Sequence, residues 1–257
     1  MYRTEISTQL NSFVPIALFE MDAVMLMSRV ETKYVFSARR LPHFLENLEG
    51  SYKVLEINNI RSFPYHTTYL DTPEMLFFAE QIRGKLNRHK IRYRRYESTG
   101  DSFLEIKKRT NKDRTEKWRI SNCLSPVFDQ DALTFMTQYL PHKALDLKPA
   151  LINGFTRITL VGKEVRERIT LDYDIKFAIP GGPVTELPFL AIAEIKHERM
   201  AGYSPIGNSM KRLGIRPNGF SKYCMGNAIM KEIPRKNTLK PNLLLLNKIE
   251  NEYFKHA

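Results

Sequence analysis

Residues 89–98 read HKIRYRRYES, and charged and apolar side chains alternate along this stretch. Lys90, Arg92 and Arg94 fall on one side, whereas Ile91 and Tyr93 fall on the other. Side chains two residues apart on a β-strand point to the same face, so the alternation predicts a strand with one basic and one apolar face. The fold depends on which of these two faces lies inside.

Seven other segments show the same period of two and are predicted to be strands. Together with 89–97 they give eight strands, the others being 29–36, 65–72, 102–110, 115–120, 155–162, 165–177 and 190–198. Helices are predicted at 8–27, 39–49, 73–83, 129–140, 205–213, 221–232 and after Pro241. The stretch IPGGPVTELP at 179–188 is expected to form a long hairpin loop.

The other predicted strands also have a charged and an apolar face. Their charged faces carry Arg29, Glu31, Lys33, Glu105, Lys107, Lys117, Arg119, Arg166, Arg168, Asp172, Asp174, Glu194 and Lys196. A single strand of this kind is also consistent with an ordinary antiparallel strand that has one face in solvent. Since every strand also has a bulky apolar face, helices must cover the sheet from outside, and the charged faces point inward if the sheet closes. The sequence predicts an α+β fold: a closed eight-stranded antiparallel β-barrel with helices packed on its outside.

The composition fits one domain with an anionic partner. The 257 residues are 42% hydrophobic, which is enough for a core, and residues 1–257 are interpreted as a single domain. Forty Lys and Arg against 28 Asp and Glu give a net charge of +12, which favours a polyanion. No apolar run reaches the roughly 20 residues of a membrane span. Cys123 and Cys224 form no CxxC motif, so a reducing, cytoplasmic location is expected.

Carboxylates among the cations indicate a possible metal site. Glu31, Glu105, Asp172 and Glu194 could hold a hard divalent cation, Mn²⁺ or Mg²⁺, that bridges phosphate groups. The competing interpretation is that each carboxylate only forms an ion pair with a neighbouring Lys or Arg. The six histidines show no HxH or HExxH spacing, so a histidine metal site is not expected.

Several ordered motifs resemble a known family. They are ETKYVF (31–36), YLDT (69–72), KIRYRRY (90–96), FLEIKKR (103–109), KWR (117–119), PALINGFTR (149–157), RITLD (168–172), AEIKH (193–197) and FSKY (220–223). Their order is similar to that of the VTC (vacuolar transporter chaperone) catalytic domain, one of the triphosphate tunnel metalloenzymes. The resemblance covers residues 25–230 and leaves helical extensions at both ends. The first motif lacks the ExExK pattern of the adenylate-cyclase and thiamine-triphosphatase branch.

The resemblance implies a polyphosphate polymerase, which transfers the terminal phosphoryl group of a nucleoside triphosphate to a polyphosphate chain with a divalent metal. It implies a metal at Glu194 and phosphate contacts from Lys33, Arg92, Arg94, Lys107, Lys117, Arg157, Arg168 and Lys222. The neighbouring Lys90, Lys196 and Ser221 complete the predicted substrate-binding set. The residues expected to be catalytic are Arg92, Arg94, Lys107, Arg168 and Glu194. The chain resembles the free-standing prokaryotic type, so coupling to a membrane would need a separate partner.

Three alternatives stay open on the sequence. Attack by water instead of a phosphate acceptor would make the protein an inorganic or nucleoside triphosphatase. A nucleic-acid-binding protein could use the basic strands, with Tyr93, Tyr96 and Trp118 as stacking platforms, although carboxylates on the same faces would repel the backbone. Sequence-specific nucleic-acid recognition is not expected. The third alternative is a tunnel that binds polyphosphate or a lipid headgroup without catalysis.

Overall fold

The computed structural model describes residues 2–24, 29–112, 114–125, 127–141, 146–198, 204–233 and 236–255. Within these residues the β-strands are β1 (Pro15–Ile16), β2 (Arg29–Ser37), β3 (Tyr52–Leu55), β4 (Phe63–Asp71), β5 (Arg88–Tyr96), β6 (Ser102–Arg109), β7 (Thr115–Ser121), β8 (Lys148–Gly162), β9 (Glu167–Ala178), β10 (Val184–Leu187) and β11 (Leu190–Glu198). The α-helices are α1 (Tyr2–Ser12), α2 (Leu41–Glu46), α3 (Leu76–Ile82), α4 (Gln130–Tyr139), α5 (Pro205–Arg212), α6 (Lys222–Met230) and α7 (Lys240–Lys255).

One large sheet contains all of these strands. Its main path has eight strands in the order β2, β11, β9, β8, β4, β5, β6, β7, and each neighbouring pair is antiparallel. Each predicted strand overlaps one strand of this path, which confirms a mixed α+β fold with a large antiparallel sheet. Strands β1, β3 and β10 were not predicted from the sequence. β10 pairs antiparallel with Ile175–Ala178 of β9, so the hairpin predicted at 179–188 is present, but its loop is shorter than predicted because Val184–Leu187 form a strand.

The main path is open at its ends, because β2 and β7 do not pair with each other in the part of the chain that the structure describes. The closed barrel is therefore not confirmed. The outer edge of β2 instead bonds the segment before α6: the Asn218 amide donates to the Lys33 carbonyl at 2.8 Å, and Pro217 forms a bridge with Tyr34. Backbone groups that are already paired in this way cannot form a ladder with β7.

The open sheet is strongly curved, so its two ends approach each other. Lys107 of β6 lies within electrostatic reach of Glu194 on β11, and Lys90 of β5 lies within reach of Lys33 on β2. In each case four strands of the main path lie between the two. The charged side chains therefore share one concave side.

Helices cover the apolar, convex side of the sheet. α1, α2 and α5 pack on a cluster that includes Phe36, Ile169 and Ala193 of three neighbouring strands. α4 packs on a second cluster that includes Ile91 of β5 and Ile106 of β6. These are the apolar faces that the alternation predicts, so the basic face of residues 90–94 lies on the concave side. None of the described helices is long and apolar enough to cross a membrane.

A further apolar cluster fills one end of the concave side. Val35 and Ile192 reach it from β2 and β11, and Tyr223 reaches it from α6. α6 lies very close to the strands here, since a Cβ added to Gly226 would be only 2.5 Å from Leu151 Cδ2. Only a glycine allows this approach, and the remaining concave surface is left to the charged residues.

The alternation of β9 changes at Asp174, whose backbone has a φ of 52°. The period of two predicts that Asp174 shares the face of Asp172. Its carboxylate instead accepts hydrogen bonds from the Tyr2 hydroxyl at 2.9 Å and from Arg3 Nε at 3.0 Å, both on α1. The prediction for Asp174 was wrong because a bulge between β8 and β9 interrupts the regular register.

The N-terminal segment differs from the helix predicted over 8–27. α1 ends at Ser12, and Pro15–Ile16 form a short strand parallel to Val54–Leu55. Proline has no backbone N–H and disfavours a continuing helix, which explains the early end. Residues 25–27 of the predicted helix lie outside the described residues.

Candidate active site on the concave side

Glu105 of β6 joins two cations from its neighbouring strands. Its Oε2 lies 2.6 Å from Arg92 Nη2 on β5, and its Oε1 lies 2.5 Å from Lys117 Nζ on β7. Glu105 exposes 0% of its surface. Burial raises the pKa of Glu105, but the positive charges of Arg92, Arg94 and Lys117 outweigh burial and hold the pKa far below its ordinary range. Glu105 is therefore an ionised partner for cations that the sequence predicts to bind phosphate.

Asp172 of β9 holds a second group of cations. Arg157, opposite it on β8, donates from Nε at 2.6 Å and from Nη2 at 2.8 Å to the two carboxylate oxygens. This bidentate geometry is the strong form of the arginine–carboxylate contact. Lys222 of α6 donates to the same carboxylate. Burial raises the pKa of Asp172, but Arg157 and Lys222 more than offset this and lower it.

Glu194 of β11 and Glu31 of β2 share two lysines. Lys33 Nζ lies 3.2 Å from Glu194 Oε2 and 3.6 Å from Glu31 Oε2. Lys196 Nζ lies 2.9 Å from Glu194 Oε1 and 3.9 Å from Glu31 Oε1. Burial raises the pKa of Glu194, but Lys196 and Lys33 lower it well below its ordinary value. These two carboxylates stand side by side, whereas the other two predicted metal ligands lie in the separate ion-pair clusters described above.

Three cations of the concave side, Lys90, Arg94 and Lys107, have no carboxylate within ion-pair distance among the described residues. Lys90 Nζ lies 3.4 Å from Ser221 Oγ, and the buried Nε of Arg94 has no hydrogen-bond partner there. Burial lowers the pKa of Lys90 to about 8 and also lowers that of Arg94. The charge of Arg92 is the main cause of the strongly lowered pKa of Lys107. Largely buried cations without a counter-charge are costly, so these residues favour a bound anion.

Helix α6 brings two of the predicted residues to the site. Ser221 is its N-cap, and the Ser221 hydroxyl accepts a hydrogen bond from the backbone amide three residues on. This start of the helix places Lys222 against Asp172. The Tyr223 hydroxyl donates to the buried carboxylate of Asp71 on β4, which also accepts two backbone amides from the first turn of α3. Asp71, the third residue of the YLDT motif, was not among the site residues predicted from the sequence.

Two aromatic rings that were not predicted from the sequence lie against the cations. Tyr65 of β4 and Phe155 of β8 stack with their centroids 5.3 Å apart and their planes at 9°. Arg94 and Arg157 lie 5.6 and 5.1 Å from the centroid of Tyr65, and Lys222 lies 4.4 Å from that of Phe155. The period of two could have indicated Tyr65. Phe155 lies where a bulge interrupts β8, so no sequence pattern indicates its direction.

Arg168 and Lys196 stand opposite each other in the register of β9 and β11. The side chain of Arg168 is partly exposed. Since Glu194 is only two residues from Lys196, Arg168 extends the row of cations beside the Glu194 cluster. The structure thus brings all the predicted site residues to the concave side and to the start of α6.

The three rings suggested as nucleic-acid stacking platforms lie on different sides of the sheet. Tyr93 is only 4% exposed and belongs to the core under α4. Trp118 stacks on Tyr139 of α4, with centroids 4.5 Å apart. Tyr96 is the one of the three that shares the concave face of Arg94.

The paired carboxylates Glu31 and Glu194 fit a divalent cation that is shared with phosphate. Mg²⁺ is usually bound through one or two carboxylates together with substrate phosphate oxygens and water. Within the ranges that the structure describes, no group of three or more Asp, Glu, His or Cys side chains could hold a metal ion. The two carboxylates therefore suit a metal ion that is also coordinated by substrate phosphate. They are too few to hold a metal ion with protein ligands alone.

A family model for the VTC domain matches residues 28–231. No curated protein matches the chain.

The chain is similar to several solved structures, among them a candidate adenylate cyclase from Vibrio parahaemolyticus, at 14% identity and a TM-score of 0.45, covering 78% of this chain and 99% of that one. A candidate adenylyl cyclase from Hippeastrum, described as having a dominant triphosphatase activity, shares 13% identity with a TM-score of 0.45 over 81% and 98% of the two chains. A candidate adenylate cyclase from Bacillus halodurans shares 13% identity with a TM-score of 0.46 over 76% and 94%.

Proposed function

The chain belongs to the VTC domain family, and we propose that it is a polyphosphate polymerase. In this reaction the terminal phosphoryl group of a nucleoside triphosphate is transferred to a polyphosphate chain. The observation that carries the proposal is the set of three largely buried cations, Lys90, Arg94 and Lys107, which have no carboxylate partner among the described residues. Such a row of cations matches a linear anion with a negative charge on every unit.

The ion-paired cations would add to this binding. Arg92 and Arg157 are held in place by Glu105 and Asp172, so their guanidinium groups are fixed before substrate arrives. Positioning of this kind lowers the entropy that must be lost in reaching the transition state. Phosphoryl transfer needs little covalent help from protein groups, and fixed cations stabilise charge on the transferring oxygens.

Glu194, with Glu31 beside it, would hold Mn²⁺ or Mg²⁺ together with the phosphates. When bound, such an ion supplies charge stabilisation on phosphoryl oxygens. Lys33 and Lys196 keep Glu194 ionised and lie within ion-pair distance of both carboxylates. In this proposal they also contact the phosphate next to the metal.

The test of the activity is incubation of the purified protein with ATP and Mn²⁺, followed by gel analysis of the products. A ladder of polyphosphate supports the polymerase. Release of free phosphate without polymer would assign the protein to the triphosphatases of the same fold. Arg94→Ala is the matched negative control, because a contaminating enzyme would be unaffected by it.

The proposed partners, a nucleoside triphosphate and polyphosphate, can be separated from nucleic acid by competition. We expect inorganic tripolyphosphate to raise the melting temperature of the protein, since a ligand that binds only the folded state stabilises it. Duplex DNA should bind weakly, with a steep salt dependence, and polyphosphate should displace it. DNA binding that polyphosphate fails to displace would contradict the proposal.

A further inference from the structure

Three aromatic rings form a cluster on the concave side at one end of β4, β5 and β6. Tyr96 packs edge-on against Tyr65, with centroids 5.0 Å apart, and against Phe103, with centroids 5.9 Å apart. All three side chains are partly exposed. We call Tyr65, Tyr96 and Phe103 the rim cluster. It lies at the opposite end of β5 from Lys90, so it is separate from the cation nearest to α6.

Cations flank the rim cluster on the same face. Arg119 of β7 is exposed and lies 4.7 Å from the centroid of Phe103. Tyr96, Arg94, Arg92 and Lys90 then follow one another along β5 at steps of two residues, which is roughly 7 Å per step. The rim cluster is therefore adjacent to the row of cations formed by Arg94, Arg92 and Lys90 on β5.

A linear phosphate chain gives no reason for partly exposed rings on this face. Phosphate oxygens need donors and positive charge, whereas rings next to arginines suit a flat, polarisable group that stacks. The proposed donor substrate contains one such group, the base of the nucleoside triphosphate. Stacking on aromatic rings is tolerant of base identity, because every base has a π-face.

We propose that the rim cluster binds the base of the nucleoside triphosphate, with Tyr96 and Phe103 as stacking surfaces and Arg119 beside them. The triphosphate then runs along β5 towards Lys90. This inference rests on the proposed function, because it concerns the donor substrate of that reaction. The proposed base site also distinguishes the two phosphate substrates. ATP has a base that contacts the rim cluster, whereas polyphosphate has no such group.

The test compares the dissociation constants of ATP and of inorganic tripolyphosphate, measured by calorimetry without metal. Tyr96→Leu and Phe103→Leu keep apolar bulk and remove the ring. We expect each to weaken ATP binding by roughly tenfold, the size of one lost stacking contact, and to leave tripolyphosphate binding unchanged. Tyr96→Phe keeps the ring and should bind ATP like the natural protein. Phe254→Leu, at a 54% exposed ring on α7, is the matched control and should change neither ligand.

The outcomes separate the inference from the function on which it rests. Equal weakening of ATP and tripolyphosphate would mean that the rings only support the neighbouring arginines, and would overturn the base site. Unchanged binding of both ligands in the two leucine variants would also overturn it, while the phosphate-binding function would stand. If the natural protein binds neither ligand, the proposed function itself fails, and the base site fails with it. Melting temperatures of the variants show whether any loss reflects misfolding.

Discussion

Arg92 of β5 and Glu105 of β6 stand opposite each other in the sheet and form a buried ion pair, with 2.6 Å between Nη2 and Oε2. Two residues further along β5, Arg94 faces the same concave side without a carboxylate within ion-pair distance among the described residues. The site therefore contains cations that are already neutralised and cations that are not. The two kinds should respond differently to mutation.

Loss of the Glu105 charge should strongly destabilise the protein. Glu105→Gln leaves the buried Arg92 and the exposed Lys117 without their carboxylate, and breaking a buried ion pair typically costs about 3–5 kcal/mol. Urea titration of both proteins measures the difference in their free energies of unfolding. Tripolyphosphate should restore more stability in the variant than it adds to the natural protein, since the anion replaces the missing charge. Glu186→Gln, which breaks an exposed pair with Lys176, is the control and should have little effect.

Arg94→Ala should weaken substrate binding and turnover together. The Arg94 guanidinium is largely buried and has no carboxylate partner among the described residues. In the proposed complex it therefore contacts phosphate in both the ground state and the transition state. The affinity for tripolyphosphate, measured by calorimetry, and the initial rate with ATP should both decline. We expect a decline of about tenfold or more, since a lost charged hydrogen bond costs roughly 1.5–3 kcal/mol. Unchanged affinity for tripolyphosphate would exclude Arg94 from the phosphate site.

Glu194→Gln should separate catalysis from binding. Turnover with ATP and Mn²⁺ should fall by about a hundredfold or more if charge stabilisation by the metal is lost. Affinity for tripolyphosphate without metal should stay similar or increase, because a negative charge has left an anion site. Full metal-dependent activity in this variant would leave Glu194 as a partner of Lys33 and Lys196 only. The metal site would then have to be sought at Glu31, Glu105 or Asp172.

The affinity for phosphate should decrease as the pH rises above about 8. Burial, together with the positive charges of Arg92 and Lys33, lowers the pKa of Lys90 to about 8 in the free protein, so its amine is charged below that pH and neutral above it. A bound phosphate favours the charged amine and raises its pKa, so binding above pH 8 requires uptake of a proton. Calorimetry of tripolyphosphate binding in buffers of different ionisation enthalpy measures this uptake. Lys90→Arg should remove most of the pH dependence, and an unchanged profile in that variant would assign it to another group.

Tyr223→Phe should destabilise the protein through Asp71. The Asp71 carboxylate is 1% exposed and accepts the Tyr223 hydroxyl hydrogen bond, so the variant loses a buried hydrogen bond to a carboxyl group. Leaving a buried polar group with fewer partners costs about 1–3 kcal/mol, which thermal unfolding can detect. Tyr139→Phe is the matched control, since no hydrogen bond of its hydroxyl is present within the described residues. Equal stability of the two variants would show that the Tyr223 hydrogen bond contributes nothing measurable.

Local alternation was sufficient to predict much of the site. In residues 90–94 the backbone of a strand alone decides that Lys90, Arg92 and Arg94 share one face, because successive side chains point to opposite sides. The apolar character of Ile91 and Tyr93 then decides that their face is covered by a helix. These predictions needed no knowledge of the partner strands, and the structure agrees with them.

The partners of each charge were decided only by the tertiary structure. Nothing within FLEIKKR tells that Glu105 neutralises Arg92 and Lys117 while Lys107 has no carboxylate partner among the described residues, because this depends on the register between strands. The bulge at Asp174 and the edge of β2 bonded to Asn218 likewise arise from contacts between distant segments. The alternating direction of side chains is a property of one strand's backbone, so it can be predicted from the sequence of that strand. Register, bulges and closure are properties of pairs of strands, so they are fixed only when the chain folds.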